Sequence, residues 1–304
     1  MKNRIAIIDI GTNTFNLLVV DRLKDQFETI YKERIGVGLG NKGINHSIIA
    51  KKAFKRGVET LNQYKNKCLE LNVGTIKAIG TSALRNADNR QDFIDTVKQQ
   101  TGICIQVICG NEEANHIYHG VKINHQFDRP SLIMDIGGGS TEFIFANHKG
   151  IQDKASFEIG VSRIYQYLDK PDQLDIEMVS KIERHLEKNT KYFFDNKSAD
   201  VLIGSSGSFK TFYELHSNLQ YPRNEYVKLE MFDLLTNLDQ ITLSTKAERQ
   251  ANNFIIPIRK KMINIAAVKT KWIISKMGVK EFIVSPYSLK EGAVFYDNKP
   301  ATFI

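Results

Sequence analysis

Two short segments hold the residue types that phosphoryl chemistry needs. The first, Asp9-Ile-Gly-Thr-Asn-Thr14, sits between apolar runs in residues 5–20, IAIIDIGTNTFNLLVV. The second, Asp135-Ile-Gly-Gly-Gly-Ser-Thr-Glu142, sits within residues 131–146, SLIMDIGGGSTEFIFA. A strand that turns through glycine and small hydroxyl residues into a second strand exposes backbone N–H groups in a tight bend, and such a bend can wrap a phosphate oxygen. The candidates for that contact are Asn13 and Thr14 in the first copy and Gly137, Gly138, Gly139, Ser140 and Thr141 in the second. Asp9 and Asp135 end their strands as hard oxygen donors, and Glu142 adds another beside Asp135. Such donors suit Mg2+ or another divalent cation, the expected cofactor. For the first copy, an ordinary hairpin whose Asp and Asn satisfy turn geometry stands as the alternative. In the second, three consecutive glycines between two acids exceed what a plain turn requires and invite close backbone approach by a bulky ligand.

Three further segments lie where strands should end. Gly204-Ser-Ser-Gly-Ser208 follows an apolar run and opens a helical pattern, a start that favours anions. Gly204, Ser206 and Gly207 are its candidates, with an N-cap lacking any ligand as the alternative. Thr81-Ser-Ala-Leu-Arg-Asn86 follows the strand pattern Thr75–Ile79, and Gly110-Asn-Glu-Glu-Ala114 follows Gln106–Cys109. Ligands in α/β sheets bind at such carboxyl ends. Taken alone, Arg85 reads as a surface cap, and acids in a first helical turn read as dipole partners.

The two hairpins echo each other: Asp9 aligns with Asp135, Gly11 with Gly137 and Thr14 with Ser140. Two copies of one unit imply two domains of common design, and 304 residues suit two domains. The boundaries fall at 1–124 and 125–304, with the polar stretch ending in Pro130 near the crossing and the terminal helix able to pack back on domain one. Third strands are expected at Phe27–Arg34 and Ala155–Ile159, and a last strand at Glu281–Val284. Helices are expected over His46–Leu71, Asp88–Gln100, Asn111–Lys122, Val161–Leu168, Ile176–Phe194, Ser208–Leu215, Lys228–Leu238, Lys246–Asn253, Ile258–Met277 and Lys290–Tyr296. Strands alternating with helices give an α/β fold.

The net charge of +8 is dispersed along the chain, which suits solubility and a field that attracts anions. Cys68, Cys104 and Cys109 make neither a disulfide framework nor a zinc pattern, and Cys104 and Cys109 read as core residues. The expectation is a cytoplasmic protein without signal peptide, membrane span or nucleic-acid partner. His116 and His119 read as helix-surface residues. The basic stretch Arg259-Lys-Lys261, with Lys269 and Lys271 beyond, reads as a solvated helix face.

Seven segments in order resemble the exopolyphosphatase and guanosine pentaphosphate phosphohydrolase family: IDIGTNTFNLLVVD, GTSALRNADN, CGNEEANHIYHGV, MDIGGGSTEF, FEIGVSRI, IGSSGSFKTFYEL and VSPYSLKEGAVF. The resemblance implies two ribonuclease-H-like domains of the actin-like ATPase kind, with an interdomain cleft where the two hairpins clamp a phosphate chain. It implies Glu113 as the catalytic residue that orients or deprotonates the attacking water, with Glu112 structural. It places Arg85 on substrate phosphates and suggests a homodimer. Where the family often has Arg, this chain has Asn115 and Lys290; Lys290 keeps a positive charge toward phosphate but loses the planar fork. The reading that results is a magnesium-dependent phosphohydrolase acting on inorganic polyphosphate first and guanosine pentaphosphate second. An ATP-dependent small-molecule kinase and a sensor without turnover are the alternatives.

Overall fold

The apolar runs IAIIDI and NLLVV do not alternate with polar residues, so both faces of their strands must be covered, as in sheets flanked by helices. The computed structural model describes residues 3–24, 26–222, 224–296 and 302–303, and it divides the chain into two compact units. The first comprises Met1–Gly120 with Leu289–Ile304, the second Val121–Ser288.

In the first unit the order is β1 (Asn3–Ile10), β2 (Phe15–Arg22), β3 (Phe27–Ile35), α1 (Lys51–Glu70), β4 (Thr75–Gly80), α2 (Ser82–Arg85), α3 (Arg90–Thr101), β5 (Ile105–Val107) and α4 (Gly110–Lys122). The second unit runs β6 (Ser131–Ile136), β7 (Thr141–Asn147), β8 (Gly150–Phe157), α5 (Val161–Tyr167), α6 (Ile176–Thr190), β9 (Val201–Gly204), α7 (Gly207–Ser217), β10 (Val227–Leu229), α8 (Met231–Leu243), α9 (Lys246–Ala251), α10 (Ile263–Met277) and β11 (Glu281–Val284). The chain then returns to the first unit with α11 (Leu289–Phe295) and β12 (Thr302–Phe303).

The first sheet has the order β12-β4-β1-β2-β3, with β5 beside β4; the second has β10-β11-β9-β6-β7-β8. In each, an antiparallel three-strand meander continues into parallel strands whose carboxyl ends point the same way, β1 with β4 and β5, and β6 with β9 and β11. The likeness extends to a local irregularity. The pairing of β2 with β3 shifts between Val19 and Val20, and that of β7 with β8 shifts between Phe145 and Ala146. Those positions coincide when Asp9 is laid on Asp135, so the bulge belongs to the repeat. Each unit has its own core. Ile8, Phe15, Leu61, Tyr64 and Phe93 are buried in the first. Phe143, Phe194 and Trp272 interlock edge-to-face in the second, with ring centroids 5.0 and 5.7 Å apart.

Several expected elements differ in detail. The helix expected from His46 starts at Lys51, after a single 3-10 turn over Ile44–His46 closed by left-handed Ser47. Lys228–Leu238 is part strand: Val227–Leu229 pairs antiparallel with β11, and the helix begins at Met231. The helix expected from Ile258 begins at Ile263. Cys104 and Cys109 are exposed rather than core residues, because they flank the three-residue edge strand β5, whose own residues are half-buried. Among the described residues, no helix is long and apolar enough to cross a membrane.

Candidate functional site

In the first unit, three strand ends bring the chemistry together. Asp9 is the penultimate residue of β1 and faces Asn16 directly across β2. The Asn16 amide donates to Asp9 Oδ2 at 2.8 Å, and Arg34 Nε donates to Asn16 Oδ1 at 3.0 Å. Arg34 thus fixes which way the Asn16 amide points, and Asn16 fixes one Asp9 oxygen. The bend that follows is closed by a bond from Gly11 N–H to Thr14 O at 3.1 Å. The outward carbonyls of Thr12 and Asn13 accept from Gly40 and Gly38 at 3.0 and 2.8 Å. Gly38 has φ +61, and a Cβ there would lie 2.2 Å from the Asn41 amide. The Gly38–Gly40 stretch therefore buttresses the Asn13–Thr14 bend from outside. Nothing in the periodicity of the sequence marks that role.

Arg85 ends the short helix after β4, and Glu113 lies in the first turn of α4, just after β5. Arg85 Nη1 donates to Glu113 Oε2 at 2.9 Å and to the Ile108 carbonyl at 3.2 Å. The Glu113 side chain is 9% exposed and that of Arg85 18%, so the pair is largely shielded, a setting that strengthens a charge-assisted bond. The neighbouring acid behaves differently: Glu112 Oε2 accepts from its own helix's Cys109 N–H at 3.0 Å. One acid caps the helix and the other meets the guanidinium. Lys290 opens α11, which packs on β1 and β2, and its Nζ lies 3.1 Å from the buried carboxylate of Glu291.

The second unit repeats the frame with different chemistry. Asp135 and Glu142 are direct partners in the β6–β7 register, as Asp9 and Asn16 are in the first. Gly137 N–H donates to Ser140 O at 3.1 Å, the same bond as in the first bend. Ser205 and Ser288 hydroxyls both donate to Asp135 Oδ2, Ser205 at 3.0 Å. Glu142 is buried and accepts from Ser156 Oγ at 2.6 Å. The cross-strand row is therefore acid, amide and arginine in the first unit, but acid, acid and serine in the second. Two adjacent carboxylates suit a cation, whereas one carboxylate with an arginine in its row suits an anion. Among the described residues, no group of three or more His, Cys, Asp or Glu side chains could hold a metal. A two-carboxylate site fits magnesium, which usually keeps waters and takes further ligands from substrate phosphates.

The three glycines lie against the start of α5. Gly160, Val161 and Ser162 N–H groups donate to the carbonyls of Gly139, Gly137 and Gly138 at 3.0, 3.1 and 2.8 Å, and Arg163 Nε reaches Gly139 O at 3.0 Å. A Cβ on Gly160 would lie 2.3 Å from Gly138 backbone atoms. With its carbonyls engaged on this side, the loop leaves Gly137 and Gly138 half-buried and Gly139, Ser140 and Thr141 buried. Thr141 Oγ1 accepts from Lys269, a lysine that is fully buried. Burial pushes the Lys269 ammonium down to about 7, against the opposing pull of Glu142 and Asp135.

At the third segment, a Cβ on Gly204 would strike the Phe209 ring at 2.2 Å, and one on Gly207 would lie 1.6 Å from Arg259 Nη2. Arg259 thus lies against the first turn of α7, donating to Thr211 Oγ1 at 3.1 Å, while Ser206 Oγ is buried without a hydrogen-bond partner among the described residues. Two residues of the basic stretch depart from a solvated helix face: Arg259 precedes α10 and packs on α7, and Lys269 is interior. His116 is likewise buried rather than a surface residue, its ring edge-on to Tyr296 at 5.0 Å, because Tyr296 follows α11 onto α4. Sequence reasoning missed Asn16, Arg34, Ser156, Ser205 and Lys269. Laying the two repeats together would have found Asn16, the counterpart of Glu142, and Ser205 stands inside the Gly204–Ser208 segment; Arg34, Ser156 and Lys269 lie outside the motifs.

A family model described as the Ppx/GppA phosphatase family matches residues 18–300. The chain is 29% identical over 303 residues to a bifunctional 3-dehydroquinate synthase/phosphatase of Fusobacterium nucleatum, covering 95% of this chain and 46% of that protein. It is 31% identical over 215 residues to a guanosine-5'-triphosphate,3'-diphosphate pyrophosphatase of Vibrio vulnificus, covering 69% of this chain and 43% of that one. The chain thus spans about half the length of the curated relatives it matches. Among solved structures it is similar to an exopolyphosphatase from Cytophaga hutchinsonii, with TM-score 0.91 and 33% identity over 96% of both chains. An Aquifex aeolicus Ppx/GppA family member shares the fold, with TM-score 0.78 and 24% identity over 96% of both chains.

Proposed function

The chain belongs to the Ppx/GppA phosphatase family, and we propose that it is a phosphohydrolase that releases terminal phosphate from inorganic polyphosphate, with guanosine pentaphosphate as its second substrate. The observation that carries this reading is the shielded Arg85–Glu113 pair at adjacent strand ends of the first unit. The bond from Arg85 holds the Glu113 carboxylate in one orientation. Glu113 so aimed is suited to orient a water, or take its proton, as the water attacks phosphorus. Arg85 is placed to stabilise charge on the phosphoryl oxygens and to keep Glu113 aimed. Little covalent chemistry is asked of the protein in phosphoryl transfer, so positioning and electrostatics do most of the work.

The remaining candidates divide by charge. In the first unit, the bend around Asn13 and Thr14 takes a phosphate oxygen, with Asp9 held by Asn16 and Lys290 adding positive charge. In the second, the N–H groups of Gly138 and Gly139 and the start of α7 at Gly204, Ser206 and Gly207 offer donors to the substrate chain. Asp135 and Glu142 would hold a divalent cation, which when bound offsets phosphate charge. Asp9 faces an amide and an arginine rather than a second acid, so its contribution to cation binding is the smaller.

The choice of substrate is tested by following inorganic phosphate from polyphosphate, guanosine pentaphosphate and ATP in parallel, with Mg2+ present and then chelated. The account expects release from polyphosphate and guanosine pentaphosphate, little from ATP, and loss of release on chelation. Transfer of phosphate from ATP to a small acceptor, with none released from polyphosphate, would identify a kinase instead.

A further inference from the structure

Lys269 lies on α10 with no exposed surface, in a sequence stretch that otherwise reads as helix core. Burying an ammonium is costly unless it is paired and hydrogen-bonded, and an apolar side chain of similar length would pack at less cost. An ammonium can only donate. Its acceptors are Thr141 Oγ1 and the Ile159 carbonyl, the latter at 2.6 Å.

Those two acceptors flank the second phosphate loop. Thr141 is the first residue of β7, immediately after Ser140. Ile159 immediately precedes Gly160, Val161 and Ser162, whose N–H groups hold the carbonyls of Gly139, Gly137 and Gly138. Lys269 therefore joins the chain leaving the glycine loop to the chain entering the helix start that cradles it. The negative charges of Glu142 and Asp135 favour the ammonium, and His185 on α6 feels its positive charge.

We propose that Lys269 is a positioning residue for the second phosphate loop: by clasping Thr141 to Ile159 it fixes Gly137–Ser140 against the first turn of α5. With Thr141 Oγ1 accepting from Lys269, the proposal gives the Thr141 side chain the role of loop anchor. The proposal rests on the reading that this loop receives phosphate, but the clasp itself has a readout independent of turnover.

The test compares the intact chain with Lys269→Met, Thr141→Val, Thr141→Ser, the Lys269→Met/Thr141→Val double variant, and Lys271→Met as a control on the outer side of the same helix. Thermal melting reports folding, amide hydrogen exchange over residues 137–140 reports the loop, and kcat and KM for polyphosphate report function. Lys269→Met is expected to melt cooperatively, to exchange the loop amides roughly tenfold faster, and to lose about tenfold or more in kcat with KM changed less than about threefold. Thr141→Val should behave alike, Thr141→Ser should restore the wild-type values, and the double variant should lose no more than Lys269→Met alone. A folded Lys269→Met with unchanged loop exchange would overturn the proposal. So would a double variant whose losses multiply, which would make Thr141 an independent substrate ligand. Should Lys269→Met not fold, faster exchange in Thr141→Val but not in Thr141→Ser supports the clasp, and equal exchange in the two sinks it. If the wild-type chain releases no phosphate, the functional reading fails while loop exchange still decides the clasp.

Discussion

Arg85 aims the Glu113 carboxylate through one 2.9 Å bond, which is what the proposed role of Glu113 on the attacking water asks of it. The two adjacent acids show how residue type alone underdetermines role, since Glu112 turns back to cap its own helix through Cys109 N–H. Three residues further along α4, His116 shows the same dependence on surroundings. Burial pushes it down to about 4, with the positive charges of His119 and Lys77 acting in the same direction and Glu112 against them. In the unfolded chain a histidine titrates near 6.5, so between about pH 6.5 and 4 the unfolded state binds more protons than the folded one. Stability contributed by the neutral ring is full above that window and is lost as pH falls through it, by up to about 3 kcal/mol. Denaturant unfolding at pH 7 and pH 4.5 should therefore show a drop in the wild-type chain that shrinks by at least about 1 kcal/mol in His116→Gln. Equal drops in both proteins would remove His116 from the acid sensitivity.

At the scale of elements, the site depends on close backbone approach at few positions. Gly160 has an ordinary helical-start φ, so its glycine is required by the 2.3 Å approach of Gly138 and not by conformation. Gly102 is the reverse case, with φ +74 and open space around it. Gly160→Ala should push the loop off α5, lowering both stability, by about 1–3 kcal/mol, and phosphate release. Gly102→Ala should cost about 1–2 kcal/mol for the left-handed conformation and leave kcat unchanged. A fully active Gly160→Ala would show that the cradle does not set the loop. The hairpins, the strand ends bearing Arg85 and Glu113, and the helix start at Gly207 were legible in the sequence because glycine runs, acids and apolar strands have local signatures. The helix expected from Lys228 starts later because Val227–Leu229 forms β10 by pairing with distant β11, and the helix expected from Ile258 starts only at Ile263, after irregular chain. Arg34 and Lys269 were illegible because each reaches its partner across register or packing, 18 positions away for Arg34 and Asn16 and 128 for Lys269 and Thr141.

For the whole molecule, one frame used twice has been given two charge patterns. The shared bulge, the identical bend-closing bond and the matching cross-strand row mark the repeat, while Asn16 with Arg34 and Glu142 with Ser156 mark its divergence. The net charge of +8 gives a field that attracts anions without selecting among them. The proposed hydrolysis turns on Glu113. The most direct test is the initial rate of phosphate release from polyphosphate by the wild-type chain and by Glu113→Gln, with thermal melting to show that the variant is folded. The account predicts a rate lower by at least about 100-fold with melting little changed. A folded Glu113→Gln that releases phosphate at the wild-type rate would contradict it.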